Sequence, residues 1–170
     1  MNQPLNTLLV ASLLILSSPS AYAVDAITKL NNVDGEPVGS VEFRATPHGT
    51  LLFVSLHSME PGVNAFHIHA IGQCDPSFGH AGGHYNPDGV GHGYFNEKGV
   101  HAGDMPNLHI PENGQLTVEV FNHQLFLDER LFDEDGASVM IHAGPDDYTT
   151  DPSGNAGTRI ACGVIERVED

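Results

Sequence analysis

Ligand-bearing side chains crowd the stretch from Phe66 to Asp104. It begins Phe66-His67-Ile68-His69, continues through a glycine-rich segment carrying His84, His92 and His101, and ends at Asp104. Imidazole suits copper and zinc, and a single carboxylate completes a zinc tetrahedron. His142, further along, is a sixth candidate imidazole. His67 and His69 lie two apart on what reads as a strand, so both project from one face and address one ion. His84, His92 and His101 with Asp104 make a full four-ligand set of the kind that structural zinc sites use. A polar surface loop that merely contains histidine would not account for the length of this segment. The chemistry on offer is that of a metal centre, provided the rest of the chain gathers these groups.

The elements that must gather them are short. Residues 24–29 read as a first strand, and Asn31-Asn32-Val33-Asp34-Gly35 as a turn. Val41, Phe43 and Ala45 alternate with Glu42 and Arg44, the period of a half-buried strand. Leu51 to Leu56 is an apolar run of strand length, closed by Glu60-Pro61-Gly62. In Ala65 to Ala70, Phe66, Ile68 and Ala70 face one side, and His67 and His69 the other. Gly72 to Gly103 carries nine glycines with Pro76 and Pro87, and no helix or strand of useful length fits there. A structureless segment of that length in a compact domain is disordered or functional, and its histidines and Cys74 decide for function. Leu116, Val118 and Val120 alternate with Thr117, Glu119 and Phe121. In Ser138 to His142, Val139 and Ile141 are expected inward, Met140 and His142 outward. Gly144 to Gly157 is a second long loop. Arg159 to Val168 is a closing strand, with Ile160, Cys162 and Val164 on one face. Short strands with regular turn signals predict an antiparallel all-β sandwich or barrel.

Length and charge narrow the partners. At 170 residues the chain reads as one domain. Residues 8–16 are apolar apart from Ser12, and Ala21-Tyr22-Ala23 follows, the pattern of a secretory signal peptide cleaved after Ala23. Residues 1–23 are thus the expected leader and residues 24–170 the expected domain. The apolar run is too short for the ~20 residues of a spanning helix. Every charged residue lies after Ala23, so the net charge of −16 belongs to the secreted domain. Such a charge argues against nucleic acid and against anionic membrane surfaces as partners. An anionic substrate would need a local attraction, from a metal or an arginine. Cys74 and Cys162 read as one disulfide in an oxidising compartment, or alternatively as two thiolate ligands.

Several motifs together resemble one family. They are Phe66-His67-Ile68-His69-Ala70-Ile71-Gly72-Gln73-Cys74, Gly82-Gly83-His84-Tyr85-Asn86-Pro87, His101-Ala102-Gly103-Asp104, His142-Ala143-Gly144-Pro145-Asp146-Asp147 and the segment from Gly154 to Ile165. In this order they resemble the copper,zinc superoxide dismutases of the bacterial secreted type. The resemblance runs from about Thr28 to Ile165. It implies an eight-stranded antiparallel Greek-key β-barrel or sandwich, immunoglobulin-like, with two long functional loops. It also implies one copper ion on His67, His69, His84 and His142, and one zinc ion on His84, His92, His101 and Asp104, with His84 bridging the two. Asp146 matches a carboxylate that hydrogen-bonds His67 and His92, and such partners fix ring orientation and tautomer. Cys74 and Cys162 match the family's intrachain disulfide, and Arg159 its arginine beside copper. Two features depart from the pattern: Ser153 stands where many members have threonine, and residues 144–158 contain no lysine. His80 lies in the cysteine loop close to the metal segment. His48, His57, His109 and His123 have no partner spacing.

The activity implied is disproportionation of superoxide to dioxygen and hydrogen peroxide, a defence against oxidative stress, with catalytic roles for His84 and Arg159. The competing reading is a secreted copper- and zinc-binding protein of the same fold without turnover. An adhesion module with incidental histidines is a third. A blue-copper electron carrier needs a cysteine ligand and a copper-only variant would lack the zinc set, so both are disfavoured. The expected state is a monomer or a homodimer, in the periplasm or outside the cell.

Overall fold

The computed structural model describes residues 23–169. The expected leader, residues 1–23, lies outside the described residues but for Ala23. Among the described residues there are ten strands: β1 (Ala26–Asn32), β2 (Pro37–Thr46), β3 (Gly49–Leu56), β4 (Gly62–Asn64), β5 (Phe66–His69), β6 (Leu108–Ile110), β7 (Leu116–Asn122), β8 (Ser138–His142), β9 (Arg159–Val164) and β10 (Glu166–Arg167). One 3-10 turn, Gly79–Ala81, is the only regular element between β5 and β6. Among the described residues no helix is long and apolar enough to cross a membrane.

Eight strands form one antiparallel sheet in the order β5-β8-β9-β1-β2-β3-β7, with β10 beside β1. The partial order β9-β1-β2-β3 is a Greek key: three strands in sequence and a distant fourth returning to lie beside the first. The sheet can curl over a single core because alternate side chains point inward. Leu30, Val41, Phe43, Leu52, Phe66, Ile68, Val139 and Ile141 are all buried in that core. β4 and β6 pair with each other in a separate two-stranded sheet, with Val63 opposite His109. Neither was expected, since three residues are too few to show a period.

Two expected facings are corrected. Met140 and His142 do not point to solvent, for all five residues of β8 are buried. Met140 packs with Phe78, Ala81 and Cys162 in a second small core, with Cys74 against it, beneath the loop that follows β5. Nor do Ile160, Cys162 and Val164 share a face. The β8–β9 register shifts between Ile141 and His142, so Ala161 pairs with Ile141 while Arg159 pairs with His142. Ile160 sits in this irregularity and packs against the main core, Cys162 belongs to the second core, and Val164 is exposed. The closing strand also breaks after Val164, its last residues forming β10. Cys74 and Cys162 are disulfide-bonded, with Cα atoms 5.6 Å apart, which ties the loop after β5 to β9.

Candidate metal centre

The ligand-bearing segments are positioned by backbone pairing. β5 lies against β8, with His67 opposite Met140 and His69 opposite Ser138, so Phe66 and Ile68 fill the core and both imidazoles face the other way. The register shift after Ile141 re-aims His142 toward them, a common use of a bulge. On the other edge of β5, single bridges join His67 to Asp104 and His69 to His84. Three hydrogen bonds close a ring: the Ile68 N–H donates to Gly103 O (2.8 Å), Gly103 N–H to Tyr85 O (2.9 Å), and Tyr85 N–H to Ile68 O (2.8 Å). Gly103 has to be glycine, because a Cβ there would lie 2.3 Å from Ile68 O.

This scaffold brings together every side chain singled out as a ligand. His67, His69, His84 and His142 form one cluster, and His84, His92, His101 and Asp104 form another; within each, the ligand atoms lie within 4.8 Å of one another. All are buried. His84 alone belongs to both. His80 does not join them. Its side chain is exposed and pairs with Asp75. His48, His57, His109 and His123 are exposed as well.

Each ring of the four-histidine cluster spends one nitrogen on an acceptor and turns the other inward. Nδ1 of His69 donates to Gly82 O (3.0 Å), and Nδ1 of His142 to Gly157 O (3.1 Å). In a neutral ring each Nε2 is then a bare lone pair, and the two face each other at 3.4 Å. His67 Nε2 donates to Asp146 Oδ2 (2.7 Å), leaving His67 Nδ1 buried with no partner; His84 Nε2 is likewise unpartnered. Buried polar atoms rarely go unpaired. Converging lone pairs with no hydrogen between them fit a cation.

The second cluster fits one too. Asp104 Oδ2 accepts from the backbone N–H of Gly93 and of His101, each at 3.0 Å, which turns Oδ1 toward the three rings. Oδ1 lies 2.8 Å from His84 Nδ1, 3.1 Å from His92 Nδ1 and 3.2 Å from His101 Nδ1; the His84 and His101 Nδ1 atoms are 3.4 Å apart. A tetrahedral ion with ligand bonds of about 2.0–2.1 Å sets donors about 3.3 Å apart. His92 Nε2 donates to Asp146 Oδ1 (3.0 Å), so one carboxylate orients a ring of each cluster.

Charge follows the same division. Burial lowers the pKa of His67 to about 4, His69 to about 2 and His142 to about 4, the other rings adding to the effect. Burial lowers that of His84 as well. These rings are neutral at pH 7, as ligands must be. For His92, burial lowers the pKa but the hydrogen bonds of Asp104 and Asp146 outweigh it and raise it to about 9. Burial would raise Asp104 and Asp146, yet their imidazole partners hold both well below the usual carboxylate range. A proton or a cation belongs among these groups.

Arg159 lies at the edge of the four-histidine cluster. Its guanidinium donates to the carbonyls of Phe78, Gly79 and Gly82, the last being also the acceptor of His69. Two positioning residues carry no charge or periodicity that marks them in the sequence, although Gly154 opens one of the matched motifs. Asn107 is hydrogen-bonded both ways to the backbone of Asp146. Gly154 sits against the Asp146–His92 contact, where a Cβ would lie 1.9 Å from Asp146 Oδ1 and 2.7 Å from His92 Nε2.

Comparisons with known proteins agree. The family model described as copper/zinc superoxide dismutase matches residues 38–165. The Cu-Zn superoxide dismutase 2 of Aquifex aeolicus (strain VF5) is 43% identical over 167 residues, which is 95% of this chain and 98% of that protein. A solved structure of a SOD-like protein from Bacillus subtilis superposes with a TM-score of 0.77 at 39% identity, covering 81% of this chain and 96% of that one. The Cu/Zn superoxide dismutase from Brucella abortus superposes with a TM-score of 0.69 at 30% identity, covering 84% and 100%. From the match over most of its length and the relatives that share it, the chain belongs to the copper/zinc superoxide dismutase family.

Proposed function

We propose that this chain is a secreted superoxide dismutase, converting two superoxide anions and two protons to dioxygen and hydrogen peroxide. Copper would be held by His67, His69, His84 and His142, and zinc by His84, His92, His101 and Asp104. The observation that carries this reading is the place of His84. Its Nδ1 lies 2.8 Å from Asp104 Oδ1 among the zinc ligands, while its Nε2 is buried and unpartnered among the copper ligands. One ring thus serves both clusters. Fold alone would not decide the matter, since a relative named only SOD-like shares it.

Bound copper supplies one-electron exchange, and bound zinc supplies fixed charge and geometry. The protein's own groups do the rest. His84 Nε2 is the atom at which a proton is held for the second superoxide, while the Nδ1 side keeps the ring in register. Asp146 fixes the tautomers of His67 and His92. Arg159 offers a charged fork to the anion, held in place by three loop carbonyls. That local charge acts within a protein of net charge −16. The Cys74–Cys162 disulfide supports an oxidising compartment, periplasm or exterior, reached through a leader at residues 1–23. A monomer or homodimer suffices, for every ligand comes from one chain.

The test is metal content and superoxide dismutation on one sample, wild type beside His84→Ala. Loss of activity together with weakened zinc retention is expected. If His84→Ala keeps both, the shared-ring assignment fails.

A further inference from the structure

The zinc ligands are closed off from most directions. Gly154 leaves no space over the contact between His92 and Asp146. Gly93 packs on Tyr148, whose carbonyl oxygen would lie 2.2 Å from an added Cβ. His92 contributes no exposed side-chain surface, Asp104 1% and His84 2%. His101 is different: its side chain keeps 5%. It borders a cavity of about 160 Å³ that also meets Tyr94, Val100, Asp104, Asn122 and His123. No copper ligand and no part of Arg159 lines it. At about 30 Å³ per water it has room for on the order of five waters, enough for a partly hydrated divalent cation.

The lining suits a cation in transit. Tyr94 donates its hydroxyl to Asp104 O (3.0 Å), and Asn122 Nδ2 donates to the same oxygen (3.3 Å), so both fix the backbone of a ligand. Exposed His123 places a further imidazole at the rim. From this geometry we infer that zinc enters and leaves through this cavity, captured first at His123 and handed to His101, and not through the copper face. The inference rests on the zinc assignment above.

A route determines rates and not affinity. Val100→Phe and Gln124→Trp, both on the lining, narrow the passage while keeping every ligand. The experiment starts from protein whose copper and zinc contents have been measured, and follows zinc uptake and zinc transfer to a colorimetric chelator. Each narrowed variant is expected to slow uptake and release together, by about tenfold, equivalent to about 1.4 kcal/mol on the barrier. Zinc affinity and the rate of copper release stay at wild-type values. His123→Ala slows zinc uptake and release by a common factor, because a transient site changes the barrier alone. Zinc exchange within twofold of wild type in both narrowed variants, or equal slowing of copper, overturns the route. A wild-type protein that retains no zinc overturns the zinc assignment itself, and the route with it.

Discussion

Asn107 and Asp146 hold each other by two hydrogen bonds. The Asn107 side-chain N–H donates to Asp146 O (2.9 Å), and the Asp146 N–H donates to Asn107 Oδ1 (2.8 Å). Because the Asp146 carboxylate orients His67 and His92, this pairing acts on both clusters without touching either. Asn107→Ala leaves two backbone groups unpaired and should cost about 2–4 kcal/mol. Chemical denaturation of the metal-loaded protein measures it, and zinc retention against a chelator should fall in parallel. Added to Asp146→Ala, it should have little further effect on zinc retention. A loss below about 0.5 kcal/mol, the level of an ordinary surface change, contradicts the role.

Gly154→Ala should be far worse than Gly89→Ala. Both glycines have φ +63°, so the backbone strain is matched, but nothing lies within 4 Å of a Cβ at Gly89. The difference isolates the collision with Asp146 and His92. Gly89→Ala should cost about 1–2 kcal/mol from strain alone. Gly154→Ala should exceed that and weaken zinc retention. Equal losses at the two positions would show that the Asp146–His92 contact tolerates intrusion.

Arg159→Ala should lower kcat/KM, with the deficit relative to wild type greatest at low salt. As ionic strength rises to 1 M the Debye length shrinks to about 3 Å and the two proteins should converge. Arg159→Lys keeps the charge but not the fork that reaches three carbonyls. It should restore the salt response and only part of the rate. Stopped-flow decay of superoxide distinguishes these outcomes, and an unchanged rate for Arg159→Ala at low salt excludes the role.

Metal-free protein should lose stability on mild acidification. His67 and His142 are lowered to about 4, so below the unfolded value of 6.5 the unfolded chain binds protons that the folded chain does not. Stability therefore falls as pH falls, by about 1.4 kcal/mol per pH unit per ring once this difference is complete. His92 is raised to about 9, so its contribution rises slightly from pH 7 and levels off below 6.5, a smaller change of opposite sign. Asp104 and Asp146 are depressed below the ordinary carboxylate value of 3.8, so their contribution is fully present throughout this range and is lost only at lower pH. Denaturant midpoints between pH 7 and pH 5 test the sign, and a midpoint that rises toward pH 5 refutes it.

What the sequence displayed depends on what a period or a spacing can encode. The two-residue step of Phe66-His67-Ile68-His69 separates core from site, and the structure has that separation. Alternation alone points Met140 outward, because it says nothing about a loop folding over the second face. The loop carrying Phe78 and Ala81 buries that face and, with the disulfide, makes it a second core. The bulge at Ile141 and His142 was hidden for a similar reason: register belongs to a pair of strands, and one strand's pattern does not record it. Asn107 and Gly154 act through backbone contacts and a close approach, which leave no mark of charge or hydropathy.

The hydrogen-bonded ring through Ile68, Tyr85 and Gly103 spans three stretches of chain, and each adjoins a ligand. No one of those stretches contains a complete cluster. The four-histidine cluster, which runs from His67 to His142, therefore has no finished nest in a nascent polypeptide until its long-range architecture has closed. Filling that cluster is then an event in the life of the finished molecule, and not a seed from which it grows.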